Sequence, residues 1–317
     1  MPHLADAFHA VLADHTAGSP VAEEIIWTDL TATDIAARLR ESGNPVSVHI
    51  VEQLLQQHDY HRRKVQKDLP LDEHPDRDAQ FHNIARLKQE YLSSLNPLLS
   101  LDTKKRELLG TFYRAGRLLT TRTLQAFDHD FPSYAEGVVI PHGLYDPRLN
   151  RGYLHLGTSH DTSAFACDCL ADWWWRFGQE QYAGATSLLL LCDGGGSNSA
   201  NTYLFKADLQ ELVNTIGLEV RVAHYPPYTS KYNPIEHRLF CHVTRACQGM
   251  LFRSVAVVKQ LMEKTQTRTG LRVVVDVLEK VYATGRKVAE SVKKGLHLIR
   301  DLFLPKWNYR ILPQDGG

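Results

Sequence analysis

Ser187-Leu188-Leu189-Leu190-Leu191-Cys192-Asp193-Gly194-Gly195-Gly196-Ser197-Asn198 is the stretch on which the fold turns. A short apolar run that ends on an acid and a glycine-rich turn predicts a buried strand delivering a carboxylate at its tip. Further on, Pro226-Pro227-Tyr228-Thr229-Ser230-Lys231-Tyr232-Asn233-Pro234-Ile235-Glu236-His237-Arg238 places a second acid at the start of a helix. An acid on a strand tip and another in a first helical turn form an arrangement suited to metal ions.

Outward from this stretch the elements fall into a definite order. Leu98-Leu99-Ser100-Leu101-Asp102 is a short apolar strand that also bears an acid, and a second extended piece runs from Leu108 to Tyr113. Residues 114 to 136 read as a polar excursion. Two more strands follow, around Gly137–Tyr145 and Tyr153–Leu156. Asp161-Thr162 then caps a helix with Phe165, Cys169, Leu170, Trp173, Trp174 and Phe177 toward a sheet. The Trp173-Trp174-Trp175 run reads as core and rim of that helix rather than as a base-stacking surface. After the Leu188 strand come a helix with Phe205, Leu209, Leu212, Val213 and Ile216 on one face, a strand over Leu218–His224, and the helix from Pro234. This order predicts an α/β fold: an RNase H-like mixed sheet flanked by helices.

In such a sheet the strands of Asp102 and Asp193 are neighbours, and Glu236 enters from the last helix. Three hard oxygen donors on rigid elements suit Mg²⁺ or Mn²⁺. Two ions about 3.5–4 Å apart activate a water or a 3′-hydroxyl and stabilise the leaving oxygen of a phosphodiester. Each acid also has a plainer explanation. Asp102 would simply end a strand, and Asp193 would be a turn acid. Asn233-Pro234-Ile235-Glu236 has the spacing of an N-cap, a proline at N1 and an N3 glutamate. The glycines after Asp193 would let a DNA backbone approach. No G-x-x-x-x-G-K-[ST] sequence is present, which argues against nucleotide hydrolysis of that type.

Residues 1–67 predict a small all-α helix-turn-helix domain. Thr31 and Asp34 open one helix that stops at Gly43-Asn44-Pro45, and Ser47 caps a second, Val48–Leu55. Ser47, His49 and Gln53 would then look toward base edges, with Arg62, Arg63 and Lys64 on phosphates. A plain helical hairpin with a solvated basic tail has the same pattern. Residues 68–95 read as a polar linker and a connecting helix from about Ala79 to Ser93, residues 96–250 as the catalytic domain, and residues 251–317 as a C-terminal extension packed on it. Lys104, Lys105, Arg106, Lys231, His237 and Arg238 flank the acids and would neutralise phosphates, or serve as solvated surface charge.

Composition narrows the class without naming a partner. The chain has 317 residues, 43% apolar and 23% charged. Its 36 basic and 36 acidic side chains balance, so no global field draws it to nucleic acid. No apolar run approaches the ~20 residues of a membrane span, and no signal-peptide core is visible. A cytoplasmic chain, nucleoid-associated when bound to DNA, is expected. The five cysteines form no CxxC pair and read as buried free thiols.

Taken together, Ser100–Leu108, His160-Asp161-Thr162, Asp193–Asn198 and Pro226–Phe240 resemble the bacterial insertion-sequence transposases of the Rhodopirellula-type DDE group, the ISAzo-thirteen family, distant relatives of mariner-like transposases. His74–Asp78, Thr269-Gly270-Leu271 and Trp307-Asn308-Tyr309 match more weakly. The resemblance implies catalysis by Asp102, Asp193 and Glu236 with divalent metal, transposon ends and target as double-stranded DNA partners, and a homo-oligomer on DNA. Family members usually carry a further helix-turn-helix upstream of the segment with which this chain begins, so this copy reads as N-terminally shortened. Two other functions stay open on sequence grounds: a non-catalytic DNA-binding repressor of transposition, and an RNase H-like nuclease without strand transfer.

Overall fold

A computed structural model describes residues 3–13, 15–19, 22–63 and 74–314. The chain divides into two compact units, Met1–Leu69 and Pro70–Gly317.

In the first unit, α1 (Leu4–Ala13) precedes β1 (Thr16–Ser19) and β2 (Ala22–Thr28), which pair antiparallel, and then α2 (Ala32–Glu41) and α3 (Val48–Gln57). The sequence predicts helices alone here, and the hairpin is an addition to that reading. Its strands are stabilised by pairing with each other, which no periodicity in Thr16–Ser19 announces. The helix starts are as expected. Thr31 and Asp34 form a capping box on α2. The Ser47 hydroxyl accepts from the Ile50 N–H at 3.4 Å to open α3. Gly43, whose φ is positive, takes the left-handed turn between them. Phe8, Leu12, Ile35, Leu39, Val51 and Leu54 close a small core.

The second unit begins with α4 (Arg77–Leu92) and then builds one sheet from β3 (Leu98–Thr103), β4 (Glu107–Leu109), β5 (Gly137–Asp146) and β6 (Arg151–Gly157). The helix α5 (Ser163–Trp173) runs through a π turn, Trp174–Gly178, into the short α6 (Gln179–Gln181). Next come β7 (Ser187–Cys192), α7 (Tyr203–Ile216) and β8 (Glu219–His224). The left-handed Gly217 ends α7. A π turn, Glu236–Phe240, leads into α8 (Cys241–Ala246), followed by α9 (Val255–Glu263), β9 (Arg272–Leu278), α10 (Glu290–Gly295), β10 (Leu298–Arg300) and β11 (Asn308–Ile311). Across the sheet the order is β10-β11-β8-β7-β3-β5-β6-β9, with β4 paired to β5. At its centre β3, β5 and β6 are antiparallel neighbours, while β7 and β8 run parallel to β3. That is the RNase H-like arrangement.

Both faces of the sheet are covered, which is why β7 reads as an unbroken apolar run rather than an alternating one. Leu188, Leu189, Leu190 and Leu191 are each 0% exposed. Each such burial stabilises by about 1.5–3 kcal/mol over leaving the side chain in water. Leu188 and Leu190 point to α5 and α7; Leu189 and Leu191 point to α4. On this second side the π turn Glu236–Phe240, α8 and α9 lie on β5, β6 and β9 through Leu239, Phe240, Val243, Val258 and Met262. Trp173 and Trp174 are buried and Trp175 is half exposed, the core-and-rim split expected.

Two features differ from the sequence reading. Residues 251–314 are woven into the sheet at both edges rather than laid against it: β9 runs beside β6, and β11 beside β8. A strand as short as Asn308–Ile311 carries too little alternation to be seen locally. The excursion at 114–136 also exposes Leu119, Phe131 and Tyr134, so it is less polar at its surface than expected. Four cysteines are buried and free; Cys241 is free and exposed.

Candidate active site

The register of the sheet assembles the site. Parallel pairing sets Leu98 against Leu189, Leu99 against Leu190 and Ser100 against Leu191. Asp102 and Asp193 each lie two residues past the last pair of this ladder, close enough for the Asp193 charge to act on Asp102. The Thr103 N–H donates to Asp102 Oδ1 at 2.7 Å, and the Gly195 N–H donates to Asp193 Oδ1 at 3.3 Å.

The third acid is carried in by a buried polar clasp. Ser100, on β3 two residues before Asp102, donates from its hydroxyl to Asn233 Oδ1 at 2.5 Å. The same hydroxyl accepts from the Ile235 N–H at 3.0 Å, and Asn233 Nδ2 donates to the Leu101 carbonyl at 3.1 Å. Ser100 thus satisfies a first-turn N–H that Asn233 would have capped, and the capping-box explanation of Glu236 does not hold. Glu236 faces Asp102 instead. The approach of this helix depends on missing side chains beneath it. A Cβ on Gly143, the cross-strand partner of Asp102, would stand 2.6 Å from Phe240 Cε1 and 2.9 Å from Ile235 Cδ1. A Cβ on Gly152 would meet Leu239 Cδ1 at 2.4 Å.

Electrostatics mark the three acids as a group. Burial, then the neighbouring Asp193 charge, pushes Asp102 up to about 8, with Glu236 and Asp161 adding to the effect. Asp193 is raised by burial and by Asp161. Glu236 is raised by burial, against the opposing contact with Asp102. Among the described residues no group of three or more His, Cys, Asp or Glu is placed so that it could hold a metal ion. The donor chemistry nevertheless fits a divalent cation. All three are hard oxygen donors, and mutual repulsion is the cost that a bound cation would relieve.

Around Asp193 the support is deep. His224 Nδ1 donates to the Asp193 carbonyl at 2.9 Å and its Nε2 accepts from the Tyr309 hydroxyl at 3.1 Å. Burial holds this imidazole down at about 4, hence neutral. Lys206, buried and lowered by that burial to about 8, donates to the carbonyls of Ala200 and Thr202 at 2.7 and 3.1 Å and so pins the loop that follows the glycines.

The flanking cations divide. Lys104 is largely buried and paired with Glu107 at 2.7 Å, and Glu107 also holds Arg114 at 3.2 Å. Lys105, Lys231 and Arg238 are exposed, with Lys231 Nζ 5.3 Å from the Tyr232 ring centre. In the other unit Ser47 caps its helix, Gln53 Nε2 lies 3.3 Å from His49 Nε2, and Arg62 and Arg63 are exposed, the latter 3.4 Å from Asp59. Lys64 lies outside the described residues. Missed by the sequence reading were Ser100, Asn233 and His224 as supports and Asp161 as a fourth carboxylate near the site. Asp161 sits beside a helix start, and there Thr162 alone caps, accepting from the Phe165 N–H at 3.2 Å.

The sequence model of a family described as Rhodopirellula transposase DDE domain matches residues 7–313. No curated protein matches the chain. Among solved structures, a Mos1 transposase paired-end complex with left transposon end is similar at 15% identity and a TM-score of 0.45, covering 82% of this chain and 70% of that one. The Mos1 strand transfer complex gives 15% and 0.45, covering 82% and 69%. The human cytomegalovirus terminase nuclease domain gives 10% and 0.23, covering 63% and 71%.

Proposed function

The chain belongs to the Rhodopirellula transposase DDE domain family, and on that premise we propose that it hydrolyses phosphodiesters at insertion-sequence ends and transfers the freed strands to target DNA. The observation that carries this reading is that Asp102 and Asp193 follow the last pair of two neighbouring parallel strands and interact by charge, with Glu236 turned toward Asp102 rather than capping its own helix.

Asp102, Asp193 and Glu236 would hold Mg²⁺ or Mn²⁺. Two such ions, when bound, activate the attacking water or 3′-hydroxyl and stabilise the leaving oxygen. The protein's own part is positioning. The Ser100–Asn233 clasp orients Glu236, His224 fixes the backbone of Asp193, and Thr103 fixes one oxygen of Asp102. Rigid placement of this kind lowers the barrier by removing the entropy of assembly. The exposed Lys105, Lys231 and Arg238 would meet phosphates, and Ser47, His49, Gln53, Arg62, Arg63 and Lys64 would form the DNA-reading face of a helix-turn-helix. A homo-oligomer would bring two ends together.

The test uses purified protein, Mg²⁺ and DNA bearing the sequences that flank the gene. Cleavage and joined products, both lost in Asp193→Asn, support the proposal. Cleavage without joining points to a plain nuclease. Tight Mg²⁺-independent binding with no cleavage points to a repressor.

A further inference from the structure

The ladder between β3 and β7 ends at Ser100 and Leu191. Asp102 and Asp193 lie beyond its last pair, and the Asp193 charge is one of the causes that raise Asp102. Asp161 bridges this unladdered gap. It stands between β6 and α5, and its Oδ1 accepts from the Thr103 hydroxyl at 3.1 Å. Thr103 follows Asp102 directly. A hydroxyl carries a single proton, so its 2.9 Å contact with His142 Nδ1 runs the other way, with the ring donating. His142 is 0% exposed, and its remaining nitrogen has no partner. The imidazole is therefore a fixed donor behind Thr103 that commits the hydroxyl proton to Asp161. On the opposite side the 3-10 turn Gly196–Asn198, which carries Ser197, packs on α5, the helix that Asp161 precedes, and Ser197 counters the rise that burial gives Asp161. Ser197 belongs to the turn that follows Asp193.

We propose that Asp161 is a positioning residue of the candidate site, joining the end of β3 to the turn after β7 so that Asp102 and Asp193 keep the separation a shared divalent cation requires. This inference rests on the metal-dependent reading above. It assigns Asp161 a hydrogen-bonding role through its neighbours, with no contact to the reacting atoms.

Mn²⁺ binding to the DNA-free protein, read from the loss of the free-ion electron paramagnetic resonance signal, gives a readout separate from catalysis. Asp161→Ala and Thr103→Val should each weaken binding roughly tenfold or more, as removal of an outer-shell partner typically does. Asp161→Asn keeps an acceptor for Thr103 and should stay within about threefold of wild type on the same scale. Wild-type affinity in a folded Asp161→Ala overturns the inference. So does an Asp161→Asn as impaired as Asp161→Ala, since charge rather than the link would then be what matters. If Asp161→Ala does not fold, Thr103→Val and Asp161→Asn decide between the same outcomes. A wild-type protein that binds no Mn²⁺ overturns the functional reading and this inference with it.

Discussion

Gly143→Ala is the smallest change that tests how Glu236 reaches the other two acids. The added methyl would lie 2.6 Å from Phe240 Cε1 and 2.9 Å from both Phe240 Cζ and Ile235 Cδ1. Carbon contacts are comfortable at about 3.5–4.0 Å, so the overlap is on the order of 1 Å. Ile235 and Phe240 are buried in the same helix start, so the overlap is relieved by shifting their side-chain ends within the core and by retreat of the helix from β5. Overpacking of this kind costs about 1–3 kcal/mol. For a unit of this size that is a fall in melting temperature of about 2–12 °C. Retreat by ~1 Å also draws Glu236 off Asp102, and a misplacement of that scale lowers turnover about 10²-fold. Differential scanning fluorimetry and Mg²⁺-dependent end cleavage measure the two effects. Gly295→Ala is the control, since a Cβ there meets nothing within 4 Å. A Gly143→Ala protein that melts and cleaves like wild type would refute the claim that the bare Cα sets the approach of the helix.

Other outcomes follow from the same geometry. Ser100→Ala removes the acceptor of the Ile235 N–H and the donor to Asn233. The buried groups left unpaired cost about 1–3 kcal/mol each, measurable by urea unfolding. Tyr309→Phe takes the hydroxyl from His224. That loss should cost about 1 kcal/mol, with a smaller fall in cleavage than Asp193→Asn. The folded-state value of Asp102, raised to about 8 from 3.8, makes the metal-free protein bind a proton that the unfolded chain releases. Relative to Asp102→Asn, wild-type melting temperature in chelator should therefore fall as pH rises from about 4 toward 8, and added Mg²⁺ should restore more of it at the upper end. For the N-terminal unit, Arg62→Ala with Arg63→Ala should flatten the salt dependence of DNA binding by about 2 in log–log slope; an unchanged slope removes these residues from the phosphate contacts.

The sheet core was legible because its strands are buried on both faces. Leu188–Cys192 and Leu98–Leu101 advertise that burial in composition alone, and their acids stand at the strand ends where glycine or polar residues stop the apolar run. The short strands at 298–300 and 308–311 were not legible, because their stability comes from partners far away in sequence. The N-terminal hairpin escaped for the same reason.

At the site the division is sharper. The sequence alone determined which carboxylates exist, that two of them end strands, and that a third opens a helix. It left Glu236 equally well explained as a cap, because Asn-Pro-x-Glu satisfies a capping pattern whatever lies beside it. Only the tertiary structure decided otherwise. A serine 133 residues upstream of Asn233 supplies the acceptor for the helix start, and two glycines beneath let the helix settle onto the sheet. The neighbourhood of Asp102 and Asp193 likewise follows from the parallel ladder that ends two residues before each of them, and register is fixed by the packing of both faces. A capping pattern is local, whereas hydrogen-bond partners and strand register are set by residues that meet only when the chain is folded.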